Sequence, residues 1–120
     1  MVAVNEPGHS AYELSREIAV RTEYFATEQA VHSLRQAINL GHNAEITATA
    51  STAIITVDHL ATLAQVHPGN TTSETLRNVV QRCQDALDRA VHQSDIEGVI
   101  GHGELVGDAV MNYAIYLTNL

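Results

Sequence analysis

From residue 10 onward the apolar positions of this chain recur every three or four residues, which is the spacing of helical faces and not the alternation of strands. In "AEITATASTAIITVDHLATLAQV" Ile, Val and Thr are frequent enough to suit a strand. Periodicity decides for a helix, because Ile46, Ala50, Ala53, Val57, Leu60 and Ala64 fall on one face over five turns. A third stripe, Leu76, Val80, Cys83, Leu87, Ala90 and Val91, is the clearest amphipathic pattern in the chain.

Punctuation residues divide these stripes. Ser10 with Glu13 has the capping-box spacing, Gly41 suits the left-handed residue that closes a helix, and Asn43 offers an N-cap to the next one. "HPGN" stops the second segment, and Thr71 with Glu74 forms another capping box. The end of the third helix has two candidates: Ser94 with Glu97 could open a new helix, or Gly101 could close the old one.

A repeat favours Gly101. "EQAVHSLRQAINLGH" at Glu28 to His42 and "DRAVHQSDIEGVIGH" at Asp88 to His102 share Ala-Val-His and Gly-His at the same separation. A shift of 60 residues superimposes them, and it also sets the stripe from Ile46 to Leu60 on Val106, Val110, Tyr113, Leu117 and Leu120. The expected architecture is therefore all-α and four-helix bundle-like, two tandem hairpins related by an internal duplication. A flexible arm occupies residues 1 to 9 and a single helical domain residues 10 to 120, with hairpins at 10 to 67 and 71 to 120. The helices are expected near 11 to 40, 44 to 66, 72 to 100 and 104 to 119. Val31, Ile46, Val57, Leu60, Leu76, Val80, Cys83, Leu87, Val91, Val106 and Val110 form the expected core.

The first helix has more apolar surface than one hairpin needs. At 100° per residue, Val20, Tyr24, Val31, Leu34 and Ile38 lie on one side. Leu14, Ile18 and Phe25 lie within about 40° of one another on nearly the opposite side, together with His32. Such a helix is also ~45 Å long, against a radius of gyration near 14 Å for a compact chain of this size. A second copy of the chain is the simplest cover for the second face, so a homodimer interface through Leu14, Ile18 and Phe25 is expected.

Composition narrows the chemistry. Six cations, all arginine, stand against 14 acids for a formal net charge of -8, which leaves few groups for phosphate contacts and argues against nucleic acid. No apolar run approaches the ~20 residues of a membrane span, so no membrane partner is expected. The single Cys83 forms no internal disulfide, and "MVAVNEPGHS" lacks the basic and apolar regions of a leader, so a cytoplasmic protein is expected.

The repeated histidines carry the only recurrent candidate chemistry. Glu28 with His32 and Asp88 with His92 each place a carboxylate one turn before an imidazole. Two such halves brought together would supply two nitrogen and two oxygen ligands to a divalent ion such as zinc. The simpler reading is a pair of solvent-facing ion pairs with no cofactor, any metal or haem site being the minor alternative. His42 and His102 read as partners for helix-end carbonyls, His59 as a hydrogen-bonded residue at the core edge, and Cys83 as a small core residue. "GHGELVG" lacks the spacing and the following strand of a dinucleotide-binding turn. Three functions follow in order: a non-catalytic acidic helical protein acting by protein-protein interaction or assembly as a homodimer; a metal- or haem-binding helical protein; and a small enzyme or ligand-binding protein with a pocket near Thr47 to Thr56 and Gly101 to Gly107.

Overall fold

The computed structural model describes residues 7 to 120, and over that span the chain forms four helices and no strand: α1 (Pro7–Leu40), α2 (Asn43–Leu63), α3 (Thr71–His92) and α4 (Ile96–Thr118). α1 starts at Pro7, whose missing N–H costs nothing in a first turn. Ser10 is thus inside the helix and is not its cap, and residues 7 to 9 belong to α1 and not to an arm. The rest of the expected arm lies outside the described residues.

α1 ends where Gly41 was expected to end it. Gly41 takes a φ of 69°, its N–H donates to the Ile38 carbonyl at 3.0 Å, and the His42 N–H donates to that of Ala37 at 3.1 Å. His42, not Asn43, occupies the cap position of α2, and its side chain makes no capping bond. α2 is helical despite its β-branched content because one face is buried along its length, and Thr47, Thr52 and Thr62 satisfy their hydroxyls within the helix by donating to the carbonyls of Asn43, Ala48 and Asp58. Of the expected stripe, Ile46, Ala50, Ala53, Val57 and Leu60 are buried, joined by Ile54, whereas Ala64, the C-cap residue just past Leu63, is only partly buried.

The third helix departs from expectation. Asn70, rather than Thr71, caps it by accepting the Ser73 N–H at 2.9 Å. It stops at His92, not near residue 100. Ser94 adopts a left-handed φ of 54°, its N–H donates to Val91, and that of Asp95 donates to Ala90, the same bond pattern as at Gly41. Asp95 then caps α4 by accepting the Gly98 N–H at 3.0 Å. Gly101 sits in the second turn of α4 and terminates nothing, since glycine permits a left-handed turn without requiring one.

This corner resets the relation between the hairpins. Gly41 corresponds to Ser94, a separation of 53 residues and not 60. In that register the buried Ile46, Ala50, Ala53, Ile54, Val57 and Leu60 fall on Val99, Gly103, Val106, Gly107, Val110 and Tyr113, all buried as well. The two registers differ by seven residues, two helical turns, which is why the apolar stripe of α4 satisfies both.

α1 packs on α2 and α3 on α4, so each consecutive pair is a hairpin. α2 and α4 lie together at the centre, α4 also touches α1, and α1 makes no contact with α3. Gly103 permits the close approach of α4, whereas the space at Gly107 would admit a Cβ at ordinary contact distance. A Cβ at Gly103 would come within 3.0 Å of Ile46 Cγ2, and one at Gly107 within 3.5 Å of Leu34 Cδ2. One cluster of buried side chains runs through the four helices and includes Val31, Leu34, Ile46, Leu60, Leu87 and Val106. Of the expected core, Leu76 and Cys83 are only partly buried, and Val91 is exposed because α3 ends one residue after it, at the rim of the bundle. The molecule measures 66 × 29 × 16 Å with a radius of gyration of 17.1 Å, well above the value near 14 Å for a compact chain of this length. No helix among the described residues is long and apolar enough to cross a membrane.

Candidate functional site

α1 has 34 residues and α2 only 21, so the first helix outruns its partner at the end where α2 stops. The consequence is visible residue by residue: positions 11 to 18 are all exposed, whereas Thr27, Ala30, Val31, Leu34, Ala37 and Ile38 are buried. Leu14, Ile18 and Phe25 are 57%, 56% and 63% exposed, and they are the second apolar face that the helical spacing separates from the hairpin face. Two contacts hold the overhang to the end of α2: Arg16 donates to Gln65 Oε1 at 3.0 Å, and Gln65 Nε2 donates to the Tyr12 hydroxyl at 3.1 Å.

The exposed face continues onto α4. Arg35 meets Asp108 at 3.4 Å, and a shallow groove is lined by Glu28, Gln29, Val31, His32, Arg35 and Met111. Ile115, one turn beyond Met111, is 46% exposed. Because α4 runs antiparallel to α1, this turn lies toward the same end as Phe25, one turn before Glu28.

The structure separates the two carboxylate-histidine pairs. Glu28 and His32 are in the middle of α1, Asp88 and His92 in the last turns of α3, and these two helices do not touch. His92 Nδ1 lies 2.8 Å from the Asp88 backbone oxygen, so the ring engages the helix end and not the carboxylate. Among the described residues no group of three or more His, Cys, Asp or Glu side chains is placed to hold a metal ion. A metal joining Glu28 and His32 to Asp88 and His92 would require two chains.

The remaining candidates take structural places. His42 lies 3.6 Å from Glu45 at the start of α2. His59 Nδ1 is 3.2 Å from Glu23 Oε1, an α1–α2 link made by an exposed imidazole to a mostly buried carboxylate. Burial pushes the Cys83 thiol up, nearby Asp108 adds to the shift and Arg82 opposes it, which keeps the side chain in its less reactive protonated form. In the region where a pocket is expected beside the threonines and glycines, Thr49 and Thr56 donate to their own helix, and Gly103 and Gly107 are packed against α1 and α2. One concavity shares Thr47 with that expectation and is otherwise formed by Asn43, Ala44, Val91, Ser94, Ile96 and Val99. Asn43 Oδ1 is buried there with no hydrogen-bond partner.

Several interactions had no signal in sequence spacing. Arg77 grips Asp58 with two bonds of 2.6 and 2.9 Å, tying α3 to α2. Asn70 and the Tyr116 hydroxyl bond at 2.9 Å, and Ser73 pairs with the Tyr113 hydroxyl at 3.2 Å, so the α2–α3 loop is fastened to α4. These partners are 19 to 46 residues apart, beyond any local rule. Burial raises the Tyr24 phenol above its ordinary value, with the Glu28 carboxylate adding to the shift. The chain matches no protein-family model, no curated protein and no solved structure.

Proposed function

We propose that this chain is a non-catalytic acidic helical protein of the cytosol that works by protein-protein association, in the first place with a second copy of itself. The observation that carries this reading is the exposed apolar face of α1, with Leu14, Ile18 and Phe25 each more than half open to solvent. Full burial of an exposed apolar side chain is worth roughly 1.5 to 3 kcal/mol, so covering three that are little more than half exposed still yields a sizeable sum beside the ~5 to 15 kcal/mol by which a domain is stable. A closed two-fold pair buries the patch on both chains at once. The -8 charge supports a protein partner over nucleic acid.

The same helical scaffold supports an origin by internal duplication. Both hairpins turn through a left-handed corner, at Gly41 and Ser94, and bury equivalent positions after it. Helix, left-handed corner and helix are then the ancestral unit.

The association is tested by replacing Phe25 with Asp and measuring both mass and folding. The variant should be monomeric where the wild type is dimeric, while keeping its helix content, because Phe25 is exposed within the single chain. A variant that stays dimeric would remove α1 from the interface.

A further inference from the structure

We infer that the second copy lies antiparallel along α1, in the register that sets Leu14 of each chain against the partner's Phe25. This rests on the reading of the α1 face as a self-association surface. Ala11, Leu14, Ile18, Arg21, Phe25, Glu28 and His32 follow one another at alternating steps of three and four, a single seam along the helix. All are exposed except Glu28, which is half-buried.

Charge selects the direction. In a parallel pair each seam residue meets its own copy, so Arg21 faces Arg21 and Glu28 faces Glu28 across the axis, an arrangement of like charges that opposes association. An antiparallel pair avoids this. With the two-fold axis between Ala19 and Val20, Leu14 meets the partner's Phe25, and Ile18 meets the aliphatic stem of the partner's Arg21, whose guanidinium can reach Glu17. Sliding the helices by seven residues would instead set Ile18 against the partner's Glu28 and Leu14 against the partner's His32, so both aliphatic anchors would meet polar groups.

The shape of the chain selects the same register. Every position from 11 to 18 is exposed because α1 outruns α2. About an axis at residues 19 and 20 this overhang runs along residues 21 to 28 of the partner, where α1 is backed by the rest of its own bundle. There Leu14 would meet Phe25 on the side of α1 that also carries Met111 and the exposed Ile115 of α4. Each chain thus supplies the cover that the other's overhang lacks.

A nitroxide on Ser33→Cys, in a Cys83→Ser background, tests the register without touching the seam, since Ser33 is exposed and lies one residue beyond His32. Pulsed dipolar spectroscopy should give a separation of about 40 Å for the inferred register, about 30 Å for the slid one and under about 20 Å for a parallel pair, from 1.5 Å per residue along the helix. Gln36→Cys, expected near 50 Å, provides a second exposed position should the first disturb folding. Sedimentation of the same samples separates two failures. A monomer overturns both the self-association reading and the register, whereas a dimer with a short or 30 Å separation overturns the register alone.

Discussion

Two glycines that look alike in sequence make opposite demands on the backbone. Gly41 has a φ of 69° and open space around its missing Cβ, while Gly101 is helical, also with nothing near. Gly101→Ala should therefore stabilise the chain by about 0.5 to 1 kcal/mol through helix propensity and a less flexible unfolded state. Gly41→Ala should destabilise it by about 1 kcal/mol, the cost of an L-residue in the left-handed region. Chemical denaturation of the two variants checks the pair, and a loss of stability in Gly101→Ala would restore a helix end at that position. Cys83 gives a second test at this scale. Folding disfavours its thiolate, so the associated stability is complete below the ordinary thiol range near 8.5 and falls as pH rises above it. Alkylation of native protein at pH 8 should be several-fold slower than in urea, and equal rates would contradict the assigned environment.

At the scale of elements, the seam between α3 and α4 is where the sequence was hardest to read. The Ala-Val-His and Gly-His repetition pointed to residue 101, but a short motif weighs less than a complete corner: a left-handed Ser94, two closing backbone bonds and the Asp95 cap. Asp95→Ala should cost about 1 kcal/mol by leaving the Gly98 N–H without its side-chain acceptor. The helical identity of α2 and the α1 corner at Gly41 were legible because about four turns of periodic burial and a glycine stop act locally. The Asp58–Arg77 clasp and the Tyr113 and Tyr116 anchors were not, because they depend on which helices become neighbours. Leu87 lies at the centre of the α3 stripe and is 1% exposed. Leu87→Ala should lower unfolding free energy by about 2 to 5 kcal/mol, and a loss below about 0.5 kcal/mol would place it outside the core.

At the scale of the whole molecule, a 34-residue helix paired with a 21-residue one accounts for ~51 Å of the elongated 66 Å outline. Packing cannot cover the excess, which carries Leu14 and Ile18, and Phe25 lies beside the bundle on the same outward face. Helical spacing revealed that second face from sequence, whereas its extension toward Met111 and Ile115 emerged only once α4 was placed beside α1. Glu28 with His32 and Asp88 with His92 stay apart within one chain because α1 and α3 are the outer helices and do not meet. Self-association through α1 is the central claim, and sedimentation equilibrium of the unmodified protein at tens of micromolar tests it most directly. The account predicts twice the 13.0 kDa chain mass, whereas a single 13.0 kDa species across that concentration range would contradict it.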